Sequence, residues 1–234
     1  MPEHQLILLF VKAPIRGQVK SRLAAVLGQD AALELYRNFV LDILSSIETS
    51  GIPFRICYHP PDSGETVRNW LGGHLQYMLQ EGDNIGERME RAFLRAFSEG
   101  ATRAVLIGSD IPDLPPALLQ DAVGRLDRTG AVIGPAEDGG YYLIGFRSDA
   151  FLPEIFQGPE WSSDTVFRTT LQIFARAHQQ VSLLTPWRDV DTVEDLHDLM
   201  NRNRSGRFIS SRTMNYLSSL KGSMKSTEVS DAAV

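Results

Sequence analysis

Three features of this chain could do chemistry: a lone carboxylate, a carboxylate pair and a run of cations. Asp110 follows directly on the apolar stretch Arg103–Ser109, with Gly108 and Ser109 keeping the backbone open and Pro112 blocking continuation. A carboxylate there is well placed to hold a hard divalent cation, which takes oxygen ligands and keeps waters and substrate phosphates as the rest of its shell. Asp189 and Asp191 lie two residues apart, so in an extended segment both point to one side. Like charges so placed are costly unless a cation or water neutralises them; the other reading is an exposed strand edge.

The cations lie in "KAPIRGQVKSRL", Lys12 to Leu23, straight after the apolar run Leu6–Val11. Gly17 lets the backbone bend sharply toward a ligand, and Arg16 in the loop and Lys20 in a first helical turn can both point at anionic oxygens. A helix N-terminus adds free N–H groups and partial positive charge. Arg22 lies roughly 200° around a helix from Lys20, so it must reach over the turn or serve another group. With no Walker glycine spacing and no G-x-G-x-x-G, the stretch fits a phosphate-holding loop or a solvated turn whose apolar face is Val19, Leu23, Val26 and Leu27.

Other segments add weaker signals. "GPAEDGGYYLIG" (Gly134 to Gly145) reads locally as a hairpin turn, or as a place where backbone at Asp138, Gly139 and Gly140 approaches a ligand. Trp161 precedes a helix start at Ser163 or Asp164 and either stacks on a ligand or covers the core. Asn84 with Glu87, and Thr192 with Asp195, have capping-box spacing, and Asp113 reads as a cap for the helix beginning near Pro115. His4, His59, His74, His178 and His197 show no metal-ligand spacing.

Short apolar runs alternate with helical patterns along the chain. Strands are expected at Gln5–Val11, Pro53–His59, Leu75–Leu79, Arg103–Ser109, Ala131–Ala136 and Val181–Pro186, with "YYLIGF" as a further one. Ala32, Leu35, Tyr36, Phe39, Val40, Ile43, Leu44 and Ile47 fall on one face of a long helix, and "NIGERMERAFLRAFSEG" and "PPALLQDAVGRLDRTG" supply two more. This order predicts an α/β fold: a doubly wound, mostly parallel, Rossmann-like sheet with helices on both faces. Its ligands would lie beyond the carboxyl ends of the strands.

Composition narrows the function classes. The chain has 234 residues, 43% hydrophobic and 22% charged, with a formal net charge of -6, which is globular and opposes coating of nucleic acid. Any anion must be bound locally. A single cysteine, Cys57, excludes an intrachain disulfide and fits a reduced cytoplasm, and the N-terminal apolar run is too short for a signal peptide or a membrane span. One domain over residues 1–203 followed by a polar, mobile tail over 204–234, with a few apolar residues that could form a short helix, is the expected organisation.

"KAPIRGQVKSRL", "QEGDNIGERM", "GSDIPDLP", "GPAEDGGYYLIG", "EWSSDTVF" and "DVDTVEDL", in that order over roughly residues 5–200, resemble the DUF2064 family, also labelled selenodomain-associated transferase 1. The resemblance implies the glycosyltransferase-A fold of the nucleotide-diphospho-sugar transferase superfamily, and similarity to molybdopterin and phospholactate guanylyltransferases. Ser21 stands where the family often has Thr. Carried onto matching positions, it implies triphosphate contacts from Lys12, Arg16, Gly17, Lys20 and Arg22, and base contacts from Gln80 and Gly86. It also implies Mg²⁺ or Mn²⁺ on Asp110 with Asp191 or Asp189, and a small-molecule acceptor facing Asp138, Gly139, Gly140 and Trp161. Lys20, Arg16 and Asp110 would carry catalysis. The implied reaction is nucleotidyl transfer from a nucleoside triphosphate, with sugar transfer from a nucleotide-sugar donor as the alternative and a non-catalytic nucleotide-binding module as a third reading.

Overall fold

The computed structural model describes residues 4–158, 161 and 164–220. Strand β1, Gln5–Lys12, sends Ile7, Leu9 and Val11 into one apolar cluster and Leu6, Leu8 and Phe10 into another. A strand buried on both faces reads as an unbroken apolar run, which is what the sequence carries there. Its neighbours β2, Phe54–His59, and β4, Arg103–Ile107, both run parallel to it.

The remaining strands are β3, Tyr77–Leu79, β5, Ala131–Pro135, β6, Tyr141–Arg147, and β7, Ser182–Leu183. Together they make a seven-stranded sheet in the order β3-β2-β1-β4-β6-β5-β7. Strand β6 is antiparallel to both β4 and β5, because it follows β5 through the tight Ala136–Gly140 turn, while every other pairing is parallel. Strands β3 and β7 are shorter than their apolar runs predict, since each is an edge strand pairing with only part of one neighbour.

Helices cover both faces, as the α/β pattern requires. Residues of α2, Gln29–Ser50, α3, Gly64–Leu71, and α5, Pro116–Thr129, join the cluster of Ile7 and Leu9. Residues of α4, Ile85–Ser98, and α6, Val166–Arg176, join that of Leu8 and Phe10, where the fully buried Phe93 and Phe146 rings meet edge to face. Helix α3 was not expected, since only Val67 and Leu71 mark its buried side. No described helix is long and apolar enough to cross a membrane.

A third cluster lies apart from the sheet. Leu23 of α1, Ser21–Leu27, meets Leu35 and Phe39 of α2, Leu196 and Leu199 of α7, Val193–Arg202, and Leu217. Val26 is 69% exposed rather than on the apolar face of α1. Residues 204–220 fold back onto the domain, and 212–220 are helical. Asp42 of α2 accepts from the backbone N–H groups of Arg212 at 3.0 Å and Thr213 at 2.8 Å, satisfying first-turn donors of the helical segment 212–220. Leu217 of that segment is buried against Leu35 and Phe39. Residues 221–234, and the expected helix start at Ser163, lie outside the described residues; the N-cap of α6 is Thr165.

Candidate active site

The site is built where β1 and β4 end. Tyr36, on the buried stripe of α2, accepts from the backbone N–H of Lys12 at 2.8 Å and donates to the Lys12 carbonyl at 3.0 Å, while the Ser109 hydroxyl lies 3.5 Å from its phenol. One tyrosine thereby ties the last residue of β1 to the residue before Asp110. Burial pushes its pKa up and keeps it a neutral donor. Above these strand ends opens a cleft of about 350 Å³ lined by Lys12, Arg22, Tyr36, Gln80, Asp110 and Asp191 among others.

Lys20 forms the floor of that cleft. It is the N-cap of α1 rather than a first-turn residue, with left-handed backbone at φ 49° and ψ 49°. Its ammonium donates to the Val190 carbonyl at 2.7 Å and to Asp191 Oδ1 at 2.9 Å, and is paired with Asp110 Oδ1. The Phe39 ring lies 5.5 Å away, and the Lys20 side chain is 3% exposed against 43% for each carboxylate. Burial opposes the charge, but Asp110 and Asp191 outweigh it and hold the pKa of Lys20 above its ordinary value. In this structure the Lys20 ammonium bridges the Asp110 and Asp191 carboxylates.

The C-terminal segment is locked beside Lys20 by backbone and cap. The Val190 N–H donates to the Asp110 carbonyl at 2.8 Å. Asp195 Oδ2 accepts from the backbone N–H groups of Asp191 at 3.1 Å and Thr192 at 2.8 Å, completing the capping box of α7. Asp189 behaves differently from Asp191. It is half-buried as a residue, yet its Oδ1 is shut off from solvent with no hydrogen-bond partner among the described residues. Burial, reinforced by the charges of Asp110, Asp138 and Asp191 and only partly opposed by Lys20, pushes its pKa up to about 8. The like-charge pair is thus met by the Lys20 ammonium on Asp191, while burial favours the neutral form of Asp189.

A second cleft of about 520 Å³ adjoins the first and shares Arg22 and Asp191 with it. Asp138, Gly140, Tyr141, Trp161 and Asp164 line it further out. Asp138 Oδ1 accepts from the Gly140 N–H at 2.9 Å, which fixes the turn between β5 and β6. Gly139 is closely packed: at φ +92° it is in a region L side chains avoid, and an added Cβ would lie 2.1 Å from the Asp164 carbonyl oxygen.

Gly86 is closely packed as well. A Cβ there would lie 2.3 Å from the Phe156 carbonyl oxygen and 2.5 Å from Trp161 Nε1. Gly86→Ala is expected to push Trp161 off α4, costing about 1–3 kcal/mol of stability as overpacking does. An unchanged melting temperature and unchanged tryptophan fluorescence would contradict this placement.

Other residues singled out by sequence divide cleanly. Lys12 and Arg22 reach the cleft exposed and without an ion-pair partner among the described residues, although the helical spacing had set Arg22 apart. Gln80 is 6% exposed and donates from Nε2 to the carbonyls of Cys57 at 2.6 Å and Val11 at 3.2 Å, which orients its amide at the cleft wall. Arg16 and Gly17 do not line either cleft. The Arg16 guanidinium is turned away to Asp30 at 2.6 Å and Gln29 at 2.7 Å. Two contributors escaped the sequence reading: Tyr36, legible only as a hydroxyl on an apolar stripe, and the Val190 carbonyl, for which a backbone group gives no signal.

The residues present suit a hard divalent cation. The Lys20 ammonium stands in for one, marking a point on which the Asp110 and Asp191 carboxylates and the Val190 carbonyl converge. All three donors are oxygens. No group of three or more His, Cys, Asp or Glu side chains able to hold a metal occurs among the described residues. Two carboxylates match an ion that completes its shell from water and substrate phosphates.

Comparison with known proteins agrees with this architecture. A solved structure from Desulfovibrio desulfuricans G20, which carries the provisional name nucleotide-diphospho-sugar transferase, is 43% identical, with TM-score 0.91 over 94% of this chain and 96% of that one. A nucleotidyl transferase from Methanothermobacter thermautotroptrophicus is 15% identical with TM-score 0.57, covering 84% of this chain and 96% of that one. CMP:2-keto-3-deoxy-manno-octonic acid synthetase complexed with CTP is 11% identical with TM-score 0.54, covering 85% and 98%. These last two share the fold. No curated protein matches. Residues 43–163 match the model described as "Uncharacterized protein conserved in bacteria (DUF2064)", and with that match and the 43% identical structure the chain belongs to the DUF2064 family.

Proposed function

We propose that this transferase moves a nucleotidyl group from a nucleoside triphosphate to a small phosphorylated or hydroxyl acceptor. The observation that carries the reading is the junction of two clefts at Asp191 and Arg22, with the Asp110–Lys20–Asp191 cluster beneath it. Support also comes from the fold shared with a nucleotidyl transferase and with a synthetase complexed with CTP.

In this reading an acceptor oxygen attacks the α-phosphorus, the bond between the α- and β-phosphates breaks, and pyrophosphate leaves. Asp110 and Asp191 would hold Mg²⁺ or Mn²⁺, which when bound supplies charge neutralisation at phosphoryl oxygens. Lys12 and Arg22 contact the phosphates, Gln80 lines the base end, and Asp138 with Trp161 orients the acceptor. Catalysis by positioning and electrostatics needs no protein nucleophile.

The alternative, sugar transfer from a nucleotide-sugar donor, is favoured by one observation. With Arg16 bound to Asp30, Lys12 and Arg22 are the cleft cations without a carboxylate partner among the described residues, fewer than the sequence offers a triphosphate. A screen of nucleoside triphosphates and nucleotide sugars with Mg²⁺, read by melting temperature and by pyrophosphate release, separates the two. Triphosphates are expected to stabilise the protein and to yield pyrophosphate once an acceptor mixture is added. Stabilisation by nucleotide sugars alone, with no pyrophosphate from any mixture, would overturn the proposal.

The cations give a sharper check. Losing a hydrogen bond to a charged group costs about 1.5–3 kcal/mol, so Arg22→Ala should raise the KM for nucleotide roughly tenfold or more. Arg16→Ala should leave KM within about twofold, since exposed ion pairs contribute little. Kinetics showing the reverse order would return the phosphate role to Arg16.

A further inference from the structure

The ammonium of Lys20 is saturated. A lysine has three N–H donors, and Lys20 has three oxygen neighbours: the Val190 carbonyl at 2.7 Å, Asp191 Oδ1 at 2.9 Å and Asp110 Oδ1. Its side chain is shut from solvent, and the Phe39 ring centre lies 5.5 Å from the ammonium. The left-handed backbone at Lys20, rare for a residue with a Cβ, accompanies this inward placement. Both carboxylates, in contrast, stay 43% exposed toward the cleft.

Charge balance then decides what can enter. Two carboxylates and one ammonium leave the cluster with a single negative charge, close to neutral. A bare divalent cation set on the same carboxylates would face the ammonium at close range and strip it of its anionic partners. A cation that arrives with nucleotide phosphates brings anionic oxygens that can receive the ammonium.

Resting on the nucleotidyl-transfer reading of this site, we infer that Lys20 is a built-in counter-ion. It keeps the cation position filled in the free protein, so that the divalent ion is taken up only together with nucleotide, whose phosphates draw Lys20 off the carboxylates. The two aspartates are thereby held in place before substrate arrives, and no metal ion is retained between turnovers.

Mn²⁺ titrated against the full chain without nucleotide, followed by electron paramagnetic resonance of the free ion, tests this. Lys20→Met should bind Mn²⁺ alone at least roughly tenfold more tightly than wild type, because like charges in close range are strongly disfavoured. In wild type, a triphosphate analogue that cannot be cleaved at the α-phosphorus should raise Mn²⁺ affinity beyond that of the analogue by itself, at least roughly tenfold. Equal Mn²⁺ affinity of wild type and Lys20→Met overturns the inference. Should Lys20→Met fail to fold, equal affinity of wild type with and without the analogue, after correction for Mn²⁺ held by the analogue, does the same. Wild type that binds Mn²⁺ alone tightly and still releases pyrophosphate overturns the role of Lys20 only; a tenfold Mn²⁺ gap without pyrophosphate release overturns the nucleotidyl reading only.

Discussion

Asp110→Asn is expected to lower kcat about 10³-fold, the size of effect seen when one preorganised electrostatic group is removed from a reacting centre. The substitution is nearly isosteric. Its side-chain oxygen can still accept from Lys20, its backbone carbonyl still accepts from Val190 N–H, and the strand end at Ser109 remains tied to Tyr36. What disappears is one of the two negative charges facing the cleft. Turnover should therefore fall far more than melting temperature, because Asp191 and the Val190 carbonyl still hold the Lys20 ammonium. A fall of less than about tenfold would mean that Asp110 only anchors Lys20 and takes no part in charge stabilisation at the phosphates.

Asp113→Ala is expected to act in the opposite way, on stability first. This side chain is 1% exposed and accepts from Arg202 Nε at 2.7 Å, Asn203 Nδ2 at 2.7 Å and Trp187 Nε1 at 3.0 Å. It joins the start of α5 to the C-terminal segment that carries Asp189 and Asp191. Removing the carboxylate leaves the Arg202 charge without its partner, a change that costs about 3 kcal/mol or more, and about 10 °C in melting temperature for a chain of this size. Burial raises the pKa of Asp113, but the bond and charge of Arg202, with Trp187 and Asn203, outweigh it and leave the group below its ordinary value. A carboxyl whose pKa is depressed by folding adds stability above its unfolded pKa and loses it as pH falls through the folded one. Wild type should therefore lose an increment of stability below about pH 4 that Asp113→Asn does not lose. Identical acid profiles would contradict the assignment.

The two residues also mark how far the sequence could be read. The strand ahead of Asp110 is a run of residues buried on both faces, and such runs survive translation into β1, β4 and β5 because burial alone specifies them. Edge strands β3 and β7 do not, because their extent depends on how much of a neighbour is free to pair. The direction of β6 was latent in the Asp138–Gly140 turn, whereas its place between β4 and β5 depends on pairing across the sheet. The attachment of segment 204–220 is not legible locally, since it is made by Asp42, some 170 positions away in the chain.

Side-chain roles follow the same division. The carboxylates were legible because their positions after a strand and in a short extended segment constrain their direction. The bridge that Lys20 makes between carboxylates was not legible, because local spacing cannot report a left-handed residue held by partners 90 and 171 positions later. Arg16 and Arg22, both read as triphosphate contacts, part for a related reason: Asp30, at the start of α2, holds the nearer guanidinium and leaves the other at the junction of the clefts. Gly86 carries a motif position whose use here is the approach of Trp161 to α4.

The central claim is that the junction of the two clefts transfers a nucleotidyl group. Incubation with nucleoside triphosphates labelled at the α-phosphate, Mg²⁺ and pooled small phosphorylated or hydroxyl acceptors tests it most directly. Label is expected to appear in a new acceptor-linked product in equal amount with pyrophosphate, and to vanish with Asp110→Asn. Consumption of a nucleotide sugar with release of a nucleoside diphosphate, and no label transferred from any triphosphate, would contradict it.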